Sequence, residues 1–291
     1  MNNLFLKGCS TALATPFLED GSVDYDSYAS LLDRQVAAGV DFLTVLATTA
    51  ETPTLSLEEK KKLLAISKEH CGGLPLLVGC GSNSVAATLE NIRQLPGADA
   101  YLVVVPFYNK PTQEGMYLYF KAIAEAAQAP VVIYNVPGRT GANMLASTAL
   151  RLAREVPGII GIKEASGKMD QCREIIDGAP QGFSVLSGDD DMTFELIKAG
   201  GDGVISVASN ALPREVSLMC HLALDGRLEQ AAELNARLLP LMKGCFVESN
   251  PIPVKAALAE LGLCKAGVRI PLTEATEQTK QTIREILKEW K

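Results

Sequence analysis

The chain has 291 residues, a length that suits one or two domains, or a single α/β barrel of about 250 residues. Hydrophobic residues make up 47% of the chain and charged residues 21%, which allows a large core and argues against intrinsic disorder. The formal net charge of -7 argues against a nucleic-acid-binding surface.

Histidine and cysteine are placed in a way that argues against a zinc site and against disulfides. The two histidines, His70 and His221, do not stand at metal-ligand spacing with a cysteine. The seven cysteines are odd in number, widely spaced and free of a C-x-x-C pattern, which predicts free thiols in a reducing compartment.

No apolar run reaches the roughly 18 residues of a membrane helix, and the apolar start is too short for a signal peptide. We therefore expect a cytoplasmic protein without a membrane segment.

Short strand patterns alternate with longer helical patterns along most of the chain. Several strand patterns, such as Tyr101–Val105, are almost wholly apolar, as is typical of parallel strands covered by helices on both faces. The predicted strands are Cys9–Thr15, Phe42–Ala47, Pro75–Gly79, Ala100–Val105, Val131–Asn135, Ile159–Lys163, Ser184–Ser187 and Gly203–Val207.

The helical patterns carry signals for their ends. Ser56 and Glu59 predict a capping box at the start of one helix, and Gly39 predicts the end of another. The predicted helices between the strands are Tyr25–Ala38, Leu57–His70, Thr112–Ala127, Leu145–Glu155, Met169–Asp177 and Met192–Ala199. The strand patterns stop after residue 225, and the remaining predicted helices are Gly226–Lys243, Pro253–Leu261 and Thr273–Trp290.

The count of eight strand-then-helix units predicts an α/β fold, a (β/α)8 TIM barrel with a C-terminal helical appendix. We expect the barrel to be the catalytic domain, residues 1–225, and the C-terminal helical region to be residues 226–291. A doubly wound open sheet is the main alternative. It usually has fewer strands, and no G-x-G-x-x-G follows the first predicted strand.

Functional groups of a TIM barrel lie at the carboxyl ends of its strands, and Lys163 stands at such an end. It follows the apolar segment Ile159–Ile162, and a lysine that faces a barrel interior loses hydration, which lowers the pKa of its amine. A partly neutral amine can attack a ketone and form a Schiff base, whose iminium then accepts electrons. The non-catalytic alternatives are a lysine paired with Glu164 and one that reaches out of the barrel mouth.

Two other strand ends, those of strands 2 and 5, carry polar candidates, each with an ordinary structural alternative. Tyr134 can transfer protons, or it can be a core tyrosine with a satisfied hydroxyl. Thr48 and Thr49 can offer hydroxyls and backbone N–H groups to a small carboxylate, or form a simple polar turn. Arg139 can hold a carboxylate through paired hydrogen bonds, or be a solvated loop charge. The acidic residues after Gly188 are interpreted as solvated, and no metal site is expected there.

Five motifs, in register with the predicted strands, carry a resemblance to one family. They are T-T-x-E after strand 2, P-[YF]-Y-N-K-P after strand 4, Y-N-V-P-x-R-T-G after strand 5, G-I-K-E-A-[ST]-G after strand 6 and S-G-D-D after strand 7. With these motifs and the segment Phe246–Lys255, the chain resembles the dihydrodipicolinate synthases over nearly its whole length. The resemblance implies an aldolase-type condensation of pyruvate with L-aspartate 4-semialdehyde in diaminopimelate and lysine biosynthesis, without a metal or organic cofactor.

The resemblance also implies a catalytic role for four residues. Lys163 matches the family's Schiff-base lysine, and Tyr134 matches the tyrosine that moves protons during imine formation and cyclisation. Thr48 and Tyr108 match the other members of the proton relay. In the family, the tyrosine at the position of Tyr108 reaches the neighbouring subunit's site, and the usual assembly is a homotetramer of two tight dimers.

Four further positions are implied to bind substrate. Thr49 matches the residue that holds the pyruvate carboxylate, and Ile205 and Gly188 match other positions around pyruvate. Arg139 matches the arginine that receives the carboxylate of the aldehyde, and we expect its guanidinium to be buried.

Two departures from the family pattern affect what the resemblance implies. The strand-2 turn, Ala47–Thr52, has alanine at two positions that are commonly glycine, Ala47 and Ala50. If either position needs a positive φ, alanine there is strained and the turn is shaped differently. The positions that match the family's lysine-binding site hold poor lysine ligands, so we expect weak or absent feedback inhibition. These residues are Leu57, Lys60, Ala87 and Phe107.

Two alternative functions remain open at this point. N-acetylneuraminate lyases and 2-keto-3-deoxy-sugar-acid aldolases share the lysine, the tyrosine and the strand-2 turn, whereas Arg139 favours a substrate with a second carboxylate. A non-catalytic pyruvate-binding regulatory protein on the same scaffold is the alternative from another class. The presence of both Lys163 and Tyr134 argues against it.

Overall fold

Eight short, buried strands pair in parallel and close into a barrel in the order of the chain, in a computed structural model that describes residues 6–290. The predicted TIM barrel is therefore confirmed. The strands are β1 Gly8–Ala12, β2 Phe42–Val45, β3 Leu76–Gly79, β4 Ala100–Val104, β5 Val131–Asn135, β6 Ile159–Glu164, β7 Ser184–Ser187 and β8 Gly203–Ser206. Nearly every strand residue is buried, as expected for a parallel sheet that is covered on both faces.

Helices follow the strands and continue after the last of them. They are α1 Tyr25–Ala38, α2 Leu57–His70, α3 Val85–Gln94, α4 Gln113–Ala126, α5 Pro137–Thr140, α6 Ala146–Glu155, α7 Met169–Gly178, α8 Thr193–Lys198, α9 Pro213–Leu224, α10 Leu228–Gly244, α11 Ile252–Glu260 and α12 Glu277–Leu287. In the region after residue 225, α12 packs against α10 and α11. The described part of this region contains three α-helices, so the predicted helical appendix is confirmed.

The capping signals define α1 and α2 at the predicted residues. The Ser56 hydroxyl accepts a hydrogen bond from the Glu59 backbone N–H at 3.2 Å, and the Glu59 carboxylate accepts one from the Ser56 N–H at 2.8 Å. This is a complete capping box. Gly39 ends α1 with a φ of 79°, a left-handed conformation that glycine adopts without a steric penalty.

Several predicted boundaries are wrong, and each has a local cause. The strand β2 ends at Val45 rather than Ala47, because Leu46 has a φ of 54° and cannot continue an extended strand. No helix is predicted for three segments that are helical, α3, α5 and α9. Two of them have usable start signals: the Ser84 side chain caps α3, and Pro213 occupies the first turn of α9.

The chain divides into two compact units. One contains Leu77–Ile205 together with the described residues that precede Cys9, and it includes β4 to β7 and α3 to α8. The other contains Cys9–Leu76 and the chain from Ser206 onward, and it includes β2, α1, α2 and α9 to α12. The division into residues 1–225 and 226–291 stays a prediction.

Two further properties of the described residues concern the cysteines and the helices. The seven cysteines form no disulfide within residues 6–290, and five of them are buried. Within residues 6–290, none of the helices combines the length and the apolar character needed to cross a membrane.

Candidate active site

Lys163 and Tyr134 lie side by side at the ends of two paired strands. The register of β5 and β6 places Tyr134 opposite Lys163, so both side chains leave the sheet on the same face. Lys163 is 4% exposed and Tyr134 is 8% exposed. The Lys163 Nζ atom lies 4.5 Å from the centroid of the Tyr134 ring. The structure thus brings together the amine and the phenol that the sequence singles out.

The next residues along the same two strands point to the opposite face. Asn135 pairs with Glu164, and its side-chain amide donates to both Glu164 carboxylate oxygens, at 3.0 and 3.2 Å. The same carboxylate accepts hydrogen bonds from the Gln171 side chain at 3.0 Å and the Ser166 N–H at 2.8 Å. Because Gln171 lies on α7, this face is the outer, helix-covered one, and Lys163 faces the barrel interior. The position of Glu164 argues against the alternative in which it pairs with Lys163.

Burial changes the acid–base properties of the Lys163 amine. Loss of hydration lowers the pKa of Lys163 to about 8, and the nearby charge of Arg139 lowers it further. The carboxylates of Asp189 and Asp190 act in the opposite direction. The neutral amine, which is the form that attacks a carbonyl, is therefore far more abundant near neutral pH than in an exposed lysine.

Gly188 lies against the stem of this lysine. A Cβ atom added at Gly188 would lie 2.5 Å from the Ala165 Cβ atom and 3.1 Å from the Lys163 Cε atom. A side chain at this position would therefore crowd the lysine. Glycine here leaves space directly beside the group that we interpret as the nucleophile.

The acidic run after Gly188 is not simply solvated, which corrects the prediction. Asp190 is 1% exposed, and Asp189 is half-buried. Burial raises the pKa of Asp189 to about 6, while the Lys163 charge opposes that rise. The sequence pattern missed Asp189, because its burial depends on how the loop packs. Within residues 6–290, no group of three or more His, Cys, Asp and Glu is arranged to hold a metal ion.

The strand-2 turn forms in the second unit, directly after β2. Thr48–Ala50 is a single 3-10 turn, in which the first N–H groups have no acceptor inside the turn itself. Thr49 is 2% exposed, and its hydroxyl accepts a hydrogen bond from the Asn250 side-chain amide at 3.0 Å. Thr48 is half-buried.

The two alanines of the strand-2 turn are not strained. Ala47 has a φ of −89°, and Ala50 lies within the 3-10 turn. The left-handed residues are Leu46 and Glu51 instead, each with a φ of 54°. Neither Ala47 nor Ala50 therefore meets the condition for strain, because the left-handed residues are the ones that flank them.

The three remaining candidates differ widely in exposure. Ile205 is fully buried in β8. Tyr108 is 88% exposed and has a φ of 76°. Arg139 is exposed, and the expectation that its guanidinium is buried is wrong, because α5 presents it at the rim just after β5. Arg139 nevertheless lies close enough to Lys163 to affect the pKa of the amine.

Comparison with known proteins agrees with these motifs and this fold. The model of the dihydrodipicolinate synthetase family matches residues 5–290. The chain belongs to this family. A 4-hydroxy-tetrahydrodipicolinate synthase from Phocaeicola vulgatus is 50% identical over 289 residues, which cover 98% of this chain and 97% of the relative. As a member of the dihydrodipicolinate synthetase family, the chain is an enzyme of the lyase class.

Solved structures of family members have the same fold. The crystal structure of dihydrodipicolinate synthase from Thermotoga maritima has a TM-score of 0.96 and 45% identity, covering 98% of this chain and 99% of that one. A chloride-inhibited dihydrodipicolinate synthase from Acinetobacter baumannii, complexed with pyruvate, has a TM-score of 0.92 and 41% identity. It covers 97% of this chain and 98% of that one. These similarities favour the synthase over the sugar-acid aldolases and over a non-catalytic protein.

Proposed function

We propose that this enzyme condenses pyruvate with L-aspartate 4-semialdehyde to form 4-hydroxy-tetrahydrodipicolinate, in the biosynthesis of diaminopimelate and lysine. The observation that carries the proposal is the buried amine of Lys163, with its lowered pKa, next to the Tyr134 ring. The name of the Phocaeicola vulgatus relative supports the product, and the pyruvate complex of the Acinetobacter baumannii protein supports the first substrate.

The chemistry follows from the neutral form of the Lys163 amine, which is buried and shielded from solvent. Lys163 attacks C2 of pyruvate, and loss of water from the adduct gives an iminium. The iminium withdraws electrons, so the methyl carbon loses a proton and becomes a nucleophilic enamine. That carbon attacks the aldehyde carbon of the semialdehyde. The amino group of the semialdehyde then attacks C2, closes the ring and releases Lys163, so that one water is lost overall. The iminium serves as the electron sink, and the proposal therefore includes no metal or organic cofactor.

The proton transfers of this sequence require groups that donate and accept at the reacting atoms. We assign them to Tyr134, with Thr48 and Tyr108 as the further members of the relay. Tyr108 is 88% exposed and its backbone is left-handed. This exposure supports a role in which its phenol reaches the site of a partner subunit. We therefore propose a tight dimer as the catalytic unit, and a homotetramer of two such dimers as the assembly.

Substrate binding is assigned to four residues. Thr49 holds the pyruvate carboxylate through its hydroxyl and the N–H groups of its turn, and Gly188 and Ile205 contact the bound pyruvate. Arg139 receives the carboxylate of the semialdehyde, for which an exposed guanidinium at the rim is well placed. We also propose a cytoplasmic location, which is supported by seven cysteines that are not joined in disulfides.

Borohydride reduction in the presence of pyruvate tests the central step. The peptide that contains Lys163 should gain one reduced pyruvate unit, detected by mass spectrometry. Lys163→Met should gain none at any site, and it should be inactive in an assay coupled to the next reductase. An active wild-type enzyme without an adduct on Lys163 would refute the mechanism. A panel of sugar acids, followed for pyruvate release, distinguishes the aldolase alternative.

A further inference from the structure

A fully buried ion pair links the strand-2 turn to the C-terminal helical region. The Lys255 Nζ atom lies 2.7 Å from an Oε atom of Glu51, and the two side chains are 0% and 1% exposed. Glu51 belongs to the strand-2 turn, and Lys255 lies on α11. The mechanism proposed above uses neither residue.

The pair is completed by its surroundings. The second Glu51 oxygen accepts a hydrogen bond from the backbone N–H of Arg269 at 2.9 Å. The Lys255 ammonium also lies 4.1 Å from the centroid of the Phe17 ring, a distance typical of a cation–π contact. Burial lowers the pKa of Lys255, and the Glu51 charge opposes this shift. Each charge is therefore held by two partners from separate segments of the unit.

The backbone of Glu51 needs such support. Its φ of 54° and ψ of 35° are left-handed, a conformation that costs free energy for a residue with a Cβ atom. In this conformation the Glu51 N–H donates to the Thr48 carbonyl at 3.0 Å and closes the 3-10 turn that contains Thr49. The side chain of Glu51 thus anchors the residue that determines where Thr49 is presented.

A buried ion pair is a poor choice where stability alone is needed, because apolar residues of similar size usually serve as well. Its specific benefit is to fix the geometry, because a buried charged group is stable only while its hydrogen-bond partners stay in place. We propose that Glu51 and Lys255 are positioning residues that hold the strand-2 turn in its pyruvate-binding shape. The C-terminal helical region then contributes to pyruvate affinity through Lys255. This inference rests on the proposed function, because it assumes that Thr49 binds pyruvate.

The test compares Glu51→Gln, Lys255→Met and the double variant with the wild-type enzyme. Each should raise the KM for pyruvate about tenfold, which corresponds to about 1.4 kcal/mol. The same increase should appear in the pyruvate concentration needed for half-maximal borohydride trapping on Lys163. The kcat at saturating pyruvate should change by less than about threefold, and the KM for the semialdehyde should stay unchanged. A role in overall stability alone would not raise the KM for pyruvate while leaving kcat nearly unchanged.

Ile283→Ala is the matched control for destabilisation. Ile283 is fully buried on α12, in the same C-terminal region, and its truncation should lower Tm while leaving the KM for pyruvate unchanged. The double variant removes both charges and so avoids leaving one of them buried without its partner. An unchanged pyruvate KM in the folded double variant would overturn the positioning role. A wild-type enzyme that traps no pyruvate would instead overturn the proposed function.

Discussion

The lowered pKa of Lys163 predicts how imine formation depends on pH. With a pKa of about 8, roughly a tenth of the amine is neutral at pH 7. An ordinary lysine with a pKa of about 10.4 would be neutral to roughly 0.04%. Desolvation therefore increases the reactive form by a factor on the order of a hundred, and the initial rate of imine formation should rise with pH until it levels off above about pH 8.

Removal of the Asp189 charge should move this profile in a defined direction. Asp189 makes the largest contribution that raises the pKa of Lys163. With its own pKa of about 6, it is ionised at the pH where the lysine titrates. Because a neighbouring charge shifts a pKa by about one unit or more, Asp189→Asn should lower the pKa of Lys163 from about 8 to about 7. The shift corresponds to about 1.4 kcal/mol.

The assay is the initial rate of cyanoborohydride trapping of pyruvate on Lys163, measured by mass spectrometry across neutral and mildly alkaline pH. Asp191→Asn is the matched control, because Asp191 is an exposed neighbour and the charges that shift the pKa of Lys163 are those of Asp189, Asp190 and Arg139. Its profile should coincide with that of the wild type. If the midpoint of the trapping-rate profile of Asp189→Asn lies at the wild-type pH or at a higher pH, Asp189 does not raise the pKa of Lys163.

Three further predictions follow from the same residues. Arg139→Ala should raise the KM for L-aspartate 4-semialdehyde about tenfold or more, because a charge-assisted hydrogen bond is lost. Loss of the Arg139 charge should also raise the pKa of Lys163, so trapping at saturating pyruvate should start at higher pH but reach nearly the same final extent. An equal loss of semialdehyde turnover and of the final extent of trapping would count against the assignment. Lys163→Met should raise the free energy of unfolding by about 3 kcal/mol below pH 8, and denaturant titrations should show this gain shrinking toward pH 10.5, since the folded state binds the lysine proton more weakly than the unfolded chain. Constant or negative differences across that range would be inconsistent with a desolvated amine. Millimolar L-lysine should leave the coupled activity nearly unchanged, because a charge at Lys60 opposes a cationic ligand; strong inhibition would defeat this expectation.

The barrel is predictable because its signals are local and repeated. Apolar strands at regular spacing define the fold class, and the side chains of Ser56 and Glu59 define the start of α2 at the correct residue. The end of β2 is not predictable in the same way. Nothing in the sequence indicates that Leu46 adopts a φ of 54°, because this conformation results from the packing of the turn that follows.

The candidate site also contains residues whose placement can be predicted from the sequence and residues whose placement cannot. Lys163 and Tyr134 can be paired from the sequence, because strand ends and the two-residue period of a strand determine their face. The burial of Asp190 and the exposure of Arg139 depend on how loops fold back on the strand ends. Both are tertiary properties, and for both the interpretation of the sequence is wrong.

The pairing of β5 with β6 makes this part of the enzyme sensitive to the length of the two strands as well as to the identity of their residues. Lys163 and Tyr134 share one face, and Glu164 and Asn135 share the other. An insertion or deletion of one residue in either strand would reverse the faces of the residues that follow it. A deletion in β6 before Lys163 would bring the Glu164 carboxylate to the place of the nucleophilic amine. We expect evolution of this enzyme family to vary the loops and to conserve the length of these two strands.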